Sequence, residues 1–463
     1  MNKQSAINTR YLTLITLTAT LGGFLFGFDT AVISGAIPFV KSQYHMNALM
    51  EGWFVSSALL GCIAGVFVSG WLGNVLGRKK VMLLSAILFA ISAAGCTFTP
   101  DATWLIIFRL IGGTGIGAAS VICPMYIAEL APASLRGKMV TFYQLAITVG
   151  ILAAYFSNSL IQSGADSQAI STGWLHLMFN SEVWRGMFAV GIIPAVLFLL
   201  MSVFIPESPR WLALRAQFNK AQRILARISG NEEADREMKE ITTSLNESKN
   251  NQGARFNGSL KKALFIGILL AALSQFSGIN AIIYYGPSIL EHAGLQLGQA
   301  LGGQVTIGIV NTLFTFVAIY IIDRYGRKPL LLWGIGGAVV SLLTTALLFA
   351  LNIVNGWVVL LPIVIFIACF AFSFGPVTWV IINEIFPTAV RSNAIAVSTM
   401  SLWIANWLVG QFFPLCLQYA GAAVSFLGFA VFSMFAFWIS WKKLPETSGK
   451  TLEEISTLML SKD

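Results

Sequence analysis

The chain has 463 residues, of which 56% are apolar and only 11% charged, and its net charge is +9. Soluble domains carry roughly 25% charged residues, so most of this surface has to face something other than water, which excludes a water-soluble fold. The basic balance needs no nucleic acid, because positive loops retained on one side of a membrane, in contact with anionic lipid, account for it.

In chain order, apolar runs predict membrane-crossing helices over 12–36, 52–73, 81–97, 103–127, 139–160 and 187–205. Six more follow over 262–286, 301–323, 330–351, 357–383, 393–419 and 421–441. About 20 apolar residues at 1.5 Å rise each cross the roughly 30 Å hydrocarbon core. These runs are too long and continuous for barrel strands, so the expected class is an all-α integral membrane protein with twelve transmembrane helices. Met1 to Arg10 reads as a retained cytoplasmic tail, because no short apolar stretch with a small-residue cleavage site precedes the first run. With both termini in the cytoplasm, only Lys41, Arg109 and Arg185 of the 29 basic residues fall outside cytoplasmic positions, as the positive-inside bias requires.

The expected organisation is an N-terminal bundle over 1–205, a cytoplasmic linker over 206–261, a C-terminal bundle over 262–442 and a tail over 443–463. The linker reads as short helices followed by a flexible stretch, too small for a catalytic domain. His45, His176 and His292 stand apart in outer loops or at their edges and suggest no metal site. The five cysteines form no pattern and read as free, buried thiols. Gly112, Gly113, Gly115 and Gly117 lack the strand before and the lysine after that a phosphate loop needs, and read as close helix packing. No paired nucleophile and base appears, so neither an enzyme nor a cofactor is expected.

The two bundles repeat one charge pattern. Gly77-Arg78-Lys79 after the second helix is answered by Gly326-Arg327-Lys328 after the eighth. Glu129 to Arg136 after the fourth matches Glu384 to Arg391 after the tenth, with identical spacing. Pro206-Glu207-Ser208-Pro209-Arg210 after the sixth matches Pro445-Glu446-Thr447-Ser448-Gly449-Lys450 after the twelfth. Arg78, Glu129, Arg136, Glu207, Arg210, Arg327, Glu384 and Arg391 are therefore expected to form a cytoplasmic gate, pairing when the bundles close there and separating when they open.

Ionisable groups at membrane depth are costly and mark function. Asp29 and Arg109 lie at similar depth on the first and fourth helices. Pairing that changes with conformation would make Asp29 a proton carrier; a permanent structural pair is the alternative reading. The second bundle supplies amides and aromatics instead: Gln275 and Asn280 around Ser277-Gly278, Asn311, Trp379 after Gly375-Pro376, then Trp403, Asn406 and Trp407. Gln144 joins them from the fifth helix. Donors and acceptors beside flat aromatic faces suit a neutral polyhydroxyl ring, although any one of these amides could instead hold helices together.

The segments Gly27 to Gly35, Pro206 to Leu212, Gln275 to Asn280, Gly326 to Lys328 and Pro445 to Glu454 together resemble the sugar porter family of the major facilitator superfamily. The resemblance implies two pseudo-symmetric six-helix bundles, alternating access and a central sugar site. It places sugar contacts at Gln144, Gln275, Asn280, Asn311 and Trp379, and aromatic walls or gates at Phe26, Tyr284 and Trp403. Asp29 matches the protonation site of the proton-coupled members. Two positions depart from the family pattern: Ser274 and Leu402 stand where glutamines are usual, which removes polar contacts and leaves open whether the sugar is a pentose, a hexose or a polyol. The expected function is import of a monosaccharide with a proton across the cell's inner membrane, by a monomer whose partners are the sugar, the proton and the lipid bilayer. A facilitator without proton coupling and a non-transporting sugar sensor are the alternatives.

Overall fold

The computed structural model describes residues 7–132, 135–166, 173–250, 258–353, 355–386 and 391–446. Six crossings come first: α1 (Thr9–Gln43), α2 (Ala48–Val75), α3 (Arg78–Phe98), α4 (Ala102–Leu130), α5 (Arg136–Asp166) and α6 (Val183–Phe204), the last interrupted at Gly191 and preceded by a short helical turn over Gly173–His176 and a π turn at Leu177–Ser181. Three linker helices follow, α7 (Pro209–Leu214), α8 (Phe218–Ser229) and α9 (Asn231–Asn250). The seventh crossing is split into α10 (Gly258–Phe276) and α11 (Ile279–His292), and α12 (Leu297–Tyr325) and α13 (Arg327–Ala350) form the eighth and ninth. The tenth runs as α14 (Gly356–Cys369) through a π turn at Phe370–Phe374 into α15 (Gly375–Glu384). Next are α16 (Arg391–Tyr419) and α17 (Gly421–Lys443).

Among the described residues twelve helices are long and apolar enough to span a bilayer, and each expected run falls on one of them, none extending more than a residue past its end and the first and seventh stopping seven and six residues short. Side-chain caps set several starts: Asn47 accepts from the Met50 N–H, Asp101 from Trp104 and Asn355 from Val358, satisfying donors that no intrahelical carbonyl reaches. The first crossing is longer than its apolar run and continues to Gln43 instead of ending at 36. At roughly 52 Å for its 35 residues, it projects well beyond the hydrocarbon core.

Packing repeats between the halves. The first crossing lies on the fifth, the second on the fourth and the third on the sixth; equivalently, the seventh lies on the eleventh, the eighth on the tenth and the ninth on the twelfth. The α2–α4 seam shows why glycines recur there. A Cβ at Gly113 would fall on the Ala58 carbonyl oxygen, and one at Gly117 on that of Cys62, so only glycine lets the two backbones touch. Between halves, α2 meets α16, α5 meets α12 and α1 meets α11. All five cysteines are free. Three are buried as expected, but Cys369 on α14 is only half-buried and Cys416 on α16 is exposed, each standing where its helix is not covered by the bundle.

Candidate functional site

At the centre of the first half, Arg109 Nη1 donates to Asp29 Oδ2 at 3.1 Å and to the Asp29 backbone carbonyl at 3.2 Å. The arginine side chain is 2% exposed and the carboxylate 17%, so the pair is largely removed from solvent. Arg109 Nε is buried without a hydrogen-bond partner. The pair faces a small cavity lined also by Cys62, Leu59 and Ile116, and on its far side by Tyr284 of α11. The cavity therefore joins the ionisable pair of one half to a side chain of the other.

Tyr284 is buried, and its hydroxyl exchanges hydrogen bonds with the Asn406 amide at 3.1 and 3.2 Å. Across the seam, the Phe26 and Trp403 rings stand 5.7 Å apart. Around the helix break, Gly278 adopts a left-handed φ of +89°, which ends α10 and frees α11 to start in a new direction. Gln275 Oε1 accepts from Asn280 Nδ2 at 2.6 Å across that break, and Gln275 Nε2 donates to Ser274 Oγ at 3.0 Å. Asn311 is buried on α12, while Gln144 and Trp379 are half-buried on α5 and α15. Trp407 Nε1 is a further buried donor without a partner.

The charged residues expected at the cytoplasmic gate are arranged alike in each half. Gly77 and Gly326 turn the chain with φ of +98° and +83°. In the first half the Glu207 carboxylate then accepts from the backbone N–H of Arg78 at 2.9 Å and of Lys79 at 3.2 Å. In the second, Glu446 accepts from Arg327 at 2.9 Å and Lys328 at 3.0 Å. Each acid thus caps a helix N-terminus, where unpaired N–H groups and the helix dipole favour negative charge. Arg78 grips Glu129 through Nε and Nη2, both at 2.9 Å, and Ser208 Oγ also donates to Glu129. Arg327 stands 3.5 Å from Glu384. Both pairs lie within a half rather than between halves. Arg136 is exposed and within electrostatic reach of Glu237 on α9. Arg210 is exposed on α7. Arg391 begins α16, and its side chain lies outside the described residues.

Two polar residues that hold the seam escaped the sequence reading. Gln411 of α16 accepts from Ser56 Oγ at 2.7 Å and donates to the Leu49 carbonyl at 3.2 Å, and a Cβ on Gly52 would meet the Gln411 backbone oxygen. Tyr155 donates to the Ile283 carbonyl at 3.1 Å. An amide and a buried tyrosine inside apolar helices were the available signals, but neither carries a motif. These contacts join the halves on the face away from the basic loops.

Two pseudo-symmetric six-helix halves around an ion pair, an amide cluster and facing aromatics define an integral membrane protein of the major facilitator fold. The solved structures agree. The chain matches the xylose transporter of E. coli in its inward-open conformation with a TM-score of 0.82 and 36% identity, covering 96% of this chain and 99% of that one. Residues 15–459 match the family described as "Sugar (and other) transporter". The chain is 41% identical to the arabinose-proton symporter of Bacillus subtilis over 97% of its own length and 95% of that protein. It is 38% identical to the D-xylose-proton symporter of Escherichia coli, covering 99% and 97%. The chain belongs to the sugar transporter family.

Proposed function

We propose that this protein imports a monosaccharide together with a proton by alternating access, acting as a monomer in the cell's inner membrane with both termini in the cytoplasm. The observation that carries the reading is the buried Asp29–Arg109 pair, facing a cavity closed from the other half by Tyr284. An arginine that holds the carboxylate in one arrangement and leaves it in another makes proton uptake depend on conformation. Tyr284 is bonded to Asn406 and lies on the same short helix as Asn280, so sugar-binding groups and proton-binding groups share one wall. Gln144, Gln275, Asn280, Asn311, Trp379 and Asn406 bind the sugar hydroxyls and ring, between Phe26 and Trp403.

The chain's kinship with symporters named for arabinose, xylose and galactose supports the substrate class. Basic loops on one face support the orientation, and the polar contacts of Gln411 and Tyr155 on the opposite face support an arrangement closed to the outside. In this reading Arg78, Glu129, Arg136, Glu207, Arg210, Arg327, Glu384 and Arg391 hold the cytoplasmic helix ends and change partners when that side closes.

Purified protein in liposomes, given labelled arabinose, xylose, galactose or glucose, is expected to accumulate at least one of them when an inward proton gradient is imposed. Equilibration without accumulation in the presence of that gradient would replace the symporter with a facilitator. Failure to move any monosaccharide would remove the carbohydrate reading altogether.

A further inference from the structure

Ser274 stands in α10 two residues before its end, where related carriers were expected to supply a glutamine to the sugar. Its hydroxyl proton is committed: Oγ donates to the Ala271 carbonyl at 2.7 Å. The oxygen is left as an acceptor, and Gln275 Nε2 fills it at 3.0 Å. At the other end of the same amide, Gln275 Oε1 accepts from Asn280 Nδ2 at 2.6 Å. The bonds therefore run in one direction, from Asn280 to Gln275 to Ser274 to the backbone.

A hydroxyl that has given its only proton away cannot donate to Gln275. Turning the Gln275 amide over would set its oxygen against the Ser274 oxygen, losing that bond, and would keep the bond to Asn280 only if the Asn280 amide turned as well. Ser274 is 3% exposed and Gln275 7%, so bulk water does not replace them, and buried polar groups left unpaired are costly. The chain of bonds also spans the break at Gly278, tying the end of α10 to the start of α11. One N–H of each amide and the Asn280 carbonyl remain for a ligand.

We propose that Ser274 is a positioning residue for sugar recognition, fixing which way the Gln275 amide faces and hence which sugar hydroxyls it reads. This rests on the reading of the protein as a sugar carrier. Preorganising the amide removes an ordering cost that the sugar would otherwise bear on binding. The serine is then a clamp on the neighbouring contact rather than a missing contact.

The test is monosaccharide affinity of the purified protein, measured for the preferred sugar and its epimers. Wild type must first show saturable binding; its absence would sink the sugar-carrier reading itself. Given binding, Ser274→Ala is expected to weaken the preferred sugar about five- to tenfold, the size of one lost hydrogen bond, and to narrow the ratio between epimers. Ser274→Thr keeps the hydroxyl and restores both. In a Gln275→Ala background, Ser274→Ala should add no more than about twofold, because the group it orients is gone. Equal losses in the two backgrounds, or an unchanged affinity and epimer ratio in Ser274→Ala, overturn the positioning role. Should Ser274→Ala fail to give folded protein, Ser274→Val against Ser274→Thr makes the same comparison, since the two differ essentially in the hydroxyl alone.

Discussion

The two halves share a chain path but divide the chemistry. The first buries an ion pair, Asp29 with Arg109, and interrupts only its sixth crossing, at Gly191; the second breaks its seventh and tenth crossings and offers amides at the seventh. Their outer frames differ too. Both close a glycine turn with a glutamate on two backbone N–H groups, yet Arg78 and Glu129 meet through two bonds at 6% and 8% side-chain exposure, while Arg327 and Glu384 stand 3.5 Å apart at 17% and 24%. The linker helices reinforce the first half, where Trp211 and Arg215 donate to the Asn74 carbonyl and Arg227 stacks on Tyr11. A duplicated framework thus clamps the basic loop more tightly in the half that holds the ion pair, and breaks its helices beside the amides in the other.

The largest effect expected of this division is at Asp29. Asp29→Asn should reduce gradient-driven accumulation in liposomes to simple equilibration while sugar exchange continues; an accumulation ratio equal to wild type would take the coupling role from the first half. Next is the paired comparison of the clamps. Glu129→Gln leaves Arg78 buried without its counter-charge and should cost about 3 kcal/mol, whereas Glu384→Gln, at a more open pair, should cost about 1 kcal/mol or less. Thermal unfolding in detergent reads both, and equal losses would erase the proposed difference between the frames.

Gly52→Ala tests the seam where the halves touch, since its Cβ would meet the Gln411 backbone oxygen. Overpacking of about 1–3 kcal/mol should shift the balance roughly five- to 150-fold away from the arrangement seen here. Distances between spin labels on α2 and α16 would show the shift, and an unmoved distribution would mean that the seam yields. The smallest effect is in the linker. Burial, the nearby Glu233 charge and Glu240 push the Glu237 carboxyl up to about 7 from its ordinary 4.5, with Arg136 opposing. The folded linker therefore binds more protons than the unfolded one between these values. Its packing weakens as pH rises from 4.5 to about 7 and is constant above. Protection factors of the α9 amides, which take out the intrinsic pH dependence of exchange, should rise on acidification through that window, and Glu237→Gln should abolish the rise.

Most of the fold was legible because the bilayer imposes it locally. Each apolar run must satisfy its own backbone and is long enough to cross, so the order and number of crossings follow from hydropathy, and the charged loops betray the duplication. The residue types of the site were also visible, since Asp29, Arg109, Gln275 and Asn280 are conspicuous inside apolar helices. Their partners were not. Asp29 finds Arg109 across the first and fourth crossings, and Tyr284 finds Asn406 across the seventh and eleventh. Gln275 turns toward Ser274 because that hydroxyl has spent its proton on Ala271, and Gln411 meets Gly52 through the docking of one half on the other. Periodicity and composition report what a helix buries, whereas the choice of polar partner depends on interhelical distances of a few ångströms that only the assembled bundle determines.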